Sequence, residues 1–169
     1  MAVNKDLVLE NVRLIYRNFE GRKEKYNKEG DRNFGVVIPN DLADALVEEG
    51  WAVKCRPPRE EGDPPLCFLS VSLRFDIFPP RIYFVTGRGK TALTEETCGM
   101  VDWAEIEKVD LILRPYNWAV DGEEGTKAYL KSAWITLEET VLDAKYADLP
   151  DAQRVEAPDG SVKASSGEE

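Results

Sequence analysis

The chain has 169 residues, 43% of them apolar, and a formal net charge of −10. That length supports one domain with a real core, and no apolar run approaches the roughly 18 residues of a membrane span. The chain contains no histidine, which removes the commonest general base and any Ser-His or Cys-His nucleophile.

Cys55, Cys67 and Cys98 are odd in number, widely spaced and form no CxxC pair. A tetrahedral zinc site is not expected from them, and neither is any other cofactor. They read as three reduced, mostly buried thiols in a reducing compartment. The N-terminal MAVNKDLVLEN lacks the basic-then-apolar build of a signal peptide, so cytoplasmic residence is the expectation. The charge is unevenly spread. Residues 1–94 hold 15 basic and 14 acidic side chains, whereas 138–169 hold three and nine. Local fields, not the net charge, decide what such a surface binds.

Met1 to Asp6 is a short polar leader. Val12 to Phe19 alternates with strand periodicity, and Phe34, Val36 and Ile38 give a second such run. Between them Glu20 to Asn33 is a long charged loop, broken by Gly21 and Gly30. Residues 13–32 carry seven basic side chains, Arg13, Arg17, Arg22, Lys23, Lys25, Lys28 and Arg32, against four acidic ones. Tyr26 sits mid-loop, with Phe19 and Phe34 at its rims. Cations interleaved with aromatics suit a flexible polyanion with exposed bases; a solvated loop of mixed charge is the plain alternative.

A short helix is predicted over Asp41–Glu49, stopped by Gly50, and extended structure over Trp51–Cys55. RPPREEGDPP, residues 56–65, is an irregular connection. Strands are predicted over Leu66–Phe75 and Arg81–Thr86. The following GRGKT lacks the earlier glycine of a P-loop, since Phe84 stands there; it reads as a basic turn presenting Arg88 and Lys90. A second helix is predicted over Glu95–Trp103. Lys108–Val120 and Thr126–Leu137 form a long hairpin about DGEEG. Folding it about its centre pairs Trp118 with Tyr129 and Tyr116 with Lys131. Arg114, Tyr116 and Trp118 then share one face with Lys127, Tyr129 and Lys131, as a binding surface or as sheet-stabilising ring packing. From Pro150 the chain is small, polar and acidic, a disordered tail by composition. The domain expectation is therefore a body of residues 1–149 and a flexible acidic tail of 150–169. The architecture expected is mainly β with minor α: an OB-like antiparallel barrel with two short inserted helices.

ENVRLIYRNFEGRKEKYNKEGDRNFGVVI, VDWAEIEKVDLILRPYNW and GTKAYLKSAWITLEE resemble single-stranded DNA-binding proteins of bacteriophages and prophages, of the T7-like type. The resemblance spans about residues 7 to 148. It implies an OB fold that coats single-stranded DNA without chemistry, in replication or recombination. It also implies an acidic tail that meets replication or recombination proteins. Tails of the T7-like relatives end in an aromatic residue; this chain ends SSGEE. On this reading Arg13, Arg17, Arg22, Lys23, Lys25, Lys28, Arg32, Arg88, Lys90, Lys127 and Lys131 meet phosphates, and Phe19, Tyr26, Tyr116, Trp118 and Tyr129 stack on bases. The oligomeric state is left open, a homo-oligomer included.

Two other readings compete. A metal-dependent nuclease would draw carboxylates from Asp102, Glu105, Glu107 and Asp110. A protein-interaction module or virion component would use the acidic rear and touch no nucleic acid.

Overall fold

The computed structural model describes residues 3–25 and 27–139. Tyr26, the expected acidic tail and the 149/150 domain boundary lie outside the described residues. The strands are β1 (Leu7–Val12), β2 (Leu14–Asn18), β3 (Arg32–Ile38), β4 (Val53–Arg56), β5 (Leu66–Leu73), β6 (Arg81–Thr86), β7 (Gly89–Leu93), β8 (Ile106–Val120) and β9 (Glu123–Leu137). Helix α1 spans Asn40–Glu49, and a 3₁₀ helix spans Cys98–Trp103.

The main path of the sheet is β1-β8-β9-β5-β3-β2. Its two end strands are joined through a single residue, Arg13, so the sheet has to curl until its ends meet. β1 and β2 act as two halves of one strand, the first paired with β8 and the second with β3. The β5–β9 contact is parallel, and the other steps are antiparallel. This is the partly open Greek-key barrel of an OB-like fold; the hydrogen-bonded ladder itself does not close between β1 and β2. The remaining elements are insertions. α1 and β4 lie between β3 and β5, and the β6–β7 hairpin and the 3₁₀ helix lie between β5 and β8. The GRGKT stretch is the β6–β7 turn and the start of β7.

Alternation fills the barrel. Phe34, Val36 and Ile38 on β3, Leu69 and Val71 on β5, Leu111 and Leu113 on β8, and Leu130 and Ile135 on β9 are all buried. α1 ends in a left-handed Gly50 whose N–H bonds back to Leu46 and Val47, with Trp51 N–H also returning to Leu46. The second helix is shorter than predicted and tightens into a 3₁₀ turn.

Three sequence expectations change here. Cys55 and Cys67 face each other across β4 and β5 and are joined in a disulfide, not left as free thiols. Cys98 is free and buried. Phe19 is a core residue. From Leu14, period two would turn it outward, but the β2–β3 register shifts between Ile15 and Asn18, where Tyr16 takes φ +53°. The extra residue resets the phase, and Phe19 stacks on Phe34 with centroids 4.8 Å apart and no exposure. Finally, the β8–β9 hairpin turns on two residues, Asp121 and Gly122, both at positive φ, as an Asp-Gly hairpin turn prefers. The register therefore differs from that expected about DGEEG: Tyr116 faces Lys127, Trp118 faces Gly125, and Arg114 faces Tyr129.

Candidate nucleic-acid interface

The outward residues of β3 and β5 make one continuous face. Asn33 pairs with Ser72, Gly35 with Ser70 and Val37 with Phe68, and Ser72 meets Tyr129 on β9. At the Tyr129 end a groove of about 660 Å³ opens between the loop before β3, the end of β5 and the β8–β9 hairpin. Arg32, Arg74, Lys127, Phe75 and Tyr129 line it, together with the acids Asp31, Asp76 and Glu95.

Aromatic packing backs the groove at Tyr129. Tyr129 is 7% exposed. Tyr116 meets it edge-on at 5.6 Å, and Phe78 lies tilted against it at 5.5 Å. The Arg114 guanidinium sits 4.7 Å over Phe78. Tyr116 keeps 45% of its surface exposed, so it presents a ring to solvent while Tyr129 supports it.

The cations differ in freedom. Lys127 is exposed. Arg74 donates two hydrogen bonds to the Asp76 carboxylate, at 3.0 and 2.9 Å. The bond and the charge of Asp76 raise the Arg74 pKa, and the same bond from Arg74 lowers that of Asp76. Arg32 is held more firmly. It donates to the Phe19 carbonyl at 2.7 Å and to Cys98 Sγ at 3.2 Å, pairs with Glu95 at 3.7 Å, and lies over Phe75. Burial pushes the Cys98 thiol pKa up, against the opposing pull of Arg32.

The basic loop is built rather than loose. Asn18 is buried; its Oδ1 accepts from the Gly21 and Arg22 N–H groups, and its Nδ2 donates to the Arg22 carbonyl. Asp102 accepts from the Phe19 N–H at 2.7 Å and the Glu20 N–H at 3.2 Å. Asn27 Nδ2 reaches the carbonyls of Arg22, Lys28 and Asp31, and its Oδ1 accepts from Asn33.

Several expected site residues also make contacts within the protein. Arg17 donates to the carbonyls of Val101 and Ala104 at 2.7 and 3.0 Å, clamping β2 to the 3₁₀ helix. Arg22 donates to the Arg17 carbonyl, lies near Asp102 and Glu24, and stacks over Trp103 at 4.9 Å. Lys131 pairs with Asp6 at 2.6 Å. Lys90 caps Tyr83 at 4.5 Å; it and Arg88 belong to the β6–β7 hairpin and do not line the groove. Trp118 lies over Gly125, where an added Cβ would come within 2.8 Å of the ring. Arg13, Lys23, Lys25 and Lys28 are exposed. Arg74, Phe75, Asp76 and Phe78 join this surface from outside the residues expected from sequence; the signal present there is the alternation of Ser70, Ser72 and Arg74 on the outward face of β5.

Of the nuclease carboxylates, Asp102 is occupied by loop N–H groups and Asp110 accepts from the Asn11 N–H. Among the described residues no three His, Cys, Asp or Glu side chains gather to hold a metal ion. Among them, too, no helix is long and apolar enough to cross a membrane.

The family of phage single-stranded DNA-binding domains matches residues 2–168. The chain belongs to that family. Its ligand is single-stranded DNA, as the family's description states. No curated protein sequence matches the chain. Among solved structures, the C-terminally truncated single-stranded DNA-binding protein of bacteriophage Enc34 is 12% identical, with a TM-score of 0.53 over 80% of this chain and 87% of that one. The same Enc34 protein in complex with single-stranded DNA is also 12% identical, with a TM-score of 0.51 over 80% and 88%. At that identity the likeness speaks for the fold.

Proposed function

We propose that the chain coats single-stranded DNA with little sequence preference and no chemistry, in phage replication or recombination within the host cytoplasm, and that the strand enters through the Tyr129 groove. The observation that carries this is the groove's position. It lies on β3 and β5, the second and third barrel strands when β1 and β2 count as one, between the loop joining β2 to β3 and the β8–β9 hairpin, where OB folds take oligonucleotides. Tyr116, backed by Tyr129, stacks on a base. Lys127, Arg74 and Arg32 face the phosphates, and Lys23, Lys25 and Lys28 extend the positive field along the loop.

The groove's three cations and three acids are balanced at rest. Exposed ion pairs are weakly held, so a phosphate exchanges readily for the Asp76 carboxylate on Arg74. Stacking then supplies much of the affinity, at about 1–3 kcal/mol per base. Fluorescence-polarisation titration of labelled oligo-dT at several salt concentrations, with duplex DNA as competitor, tests the reading. The wild type should prefer the single strand and weaken as salt rises. The pair Arg74→Ala and Lys127→Ala should each lower affinity and flatten the salt dependence by about one released counterion. Unchanged affinity and slope in both variants would remove the groove from the path.

A further inference from the structure

The outward β3–β5 face continues past the groove to a second aromatic and cationic cluster. Moving along β5 from Ser72, which neighbours Tyr129, to Phe68 crosses four residues, or roughly 13 Å. The floor between is shallow, because the paired residues there are Gly35 and Ser70. At the far end Tyr16 packs edge-on against Phe68 at 5.5 Å. A Cβ on Gly35 would crowd Ile15 at 3.0 Å and only touch the Tyr16 and Phe68 rings at 3.4 Å, so the strand surface under the Tyr16 ring is low.

Three features set Tyr16 apart from a core aromatic. It is 52% exposed. Its φ of +53° is an outlier for a bulky residue, and such strain persists where the surroundings impose it, often at ligand sites. The Arg56 guanidinium stands 5.3 Å over its ring, giving a flat cationic surface on which a base can stack and N–H groups for a phosphate. Beyond Arg56 lies a hollow of about 460 Å³, walled by Pro57, Pro58, Pro64 and Leu66, with Arg59 and Asp63 on its rim. The Cys55–Cys67 disulfide fastens β4 to β5 one residue from Arg56 and so keeps the guanidinium in reach of the ring.

We propose that Tyr16, capped by Arg56 and seated against Phe68, is a second nucleotide subsite, so that the strand runs from the Tyr129 groove across Gly35 and Ser70 to the hollow beside Arg56. This rests on the reading that the groove takes single-stranded DNA. It lengthens the path by roughly 13 Å beyond the groove, within the range of about 4–16 nucleotides seen per OB fold.

The test compares oligo-dT of about four and about twelve nucleotides, both within this range, on the full chain and on two variants. Arg56→Gln is a surface change. Tyr16→Asn removes the ring but keeps a residue that tolerates positive φ. Both variants should bind the short oligomer like the wild type and the long one at least about five-fold more weakly, a loss in line with one stacked base. Arg56→Gln should also lower the long oligomer's salt slope by about one. Long-oligomer affinities matching the wild type in both variants would overturn the proposal. A wild type that gains nothing from the longer strand would also overturn it while leaving the groove intact. A wild type that binds neither length would instead overturn the groove reading.

Discussion

Asp102→Ala should loosen the basic loop at its root and cost measurable stability. The Asp102 side chain is only 1% exposed and accepts from two backbone donors, Phe19 N–H at 2.7 Å and Glu20 N–H at 3.2 Å. Hydrogen bonds to a charged acceptor are worth about 1.5–3 kcal/mol, and a buried donor left alone costs about 1–3 kcal/mol. The Phe19 donor is buried and the Glu20 donor half-buried, so the loss should total about 2–4 kcal/mol. For a domain of this size that is a fall in Tm of roughly 5–15 °C. Asp102→Asn, which keeps one carbonyl oxygen, should fall between. Thermal unfolding followed by circular dichroism reads both. The loop then has to be ordered by the ligand, so the alanine variant should also bind oligo-dT more weakly. An alanine variant melting with the wild type would refute the reasoning, because the loop would then not depend on those two bonds.

Tyr116→Ala should weaken oligo-dT binding about five-fold or more through a lost stack while leaving the melting curve nearly unchanged; an unaltered affinity would remove Tyr116 as a stacking surface. Tyr129→Ala is the contrasting case, since a buried aromatic truncation costs about 3–5 kcal/mol, and a clear fall in Tm should accompany any loss of binding. Asp76→Asn releases Arg74 and removes a groove acid, so affinity should rise and its salt dependence steepen; a weaker binder would show that Asp76 positions Arg74 for the phosphate. Thiol titration should find essentially no reactive group in the native protein near neutral pH, because burial holds the Cys98 thiol protonated above its usual range and the other two are bonded together. Unfolding without reductant should release one thiol and with reductant three; three thiols without reductant would contradict the disulfide.

The barrel was legible because its strands alternate cleanly. Leu69, Val71 and Leu73, or Phe34, Val36 and Ile38, announce an inward face, and Gly50 announces a helix end. What escaped were the irregularities. The bulge at Tyr16 inverts the phase for Phe19, and nothing local in RLIYRNF signals it. β1 was missed because Leu7–Val12 pairs with β8, about a hundred residues away, and partners at that range leave no mark nearby. Asp-Gly at 121–122 is the preferred two-residue turn and sets the hairpin register; a centre on DGEEG shifts the pairs near the turn by an even number of residues, which leaves the same side chains on one face. Of the candidate site, the sequence shows Lys127, Tyr129 and Tyr116 gathering on one face; that Arg22 and Arg32 also hold the Arg17 and Phe19 carbonyls is invisible until the loop is closed. The disulfide depends on the β4–β5 register, which Cys spacing alone does not give.

The most direct test of the central claim is photocrosslinking of a halogenated oligo-deoxyuridine to the full chain, with the adducts mapped by mass spectrometry. Crosslinks at Tyr116, Tyr129 or Phe75 are what a strand lying in the groove predicts. Adducts confined to Tyr83 and Trp134, the stacked pair beside the β6–β7 hairpin, would place the DNA on another face and contradict the account.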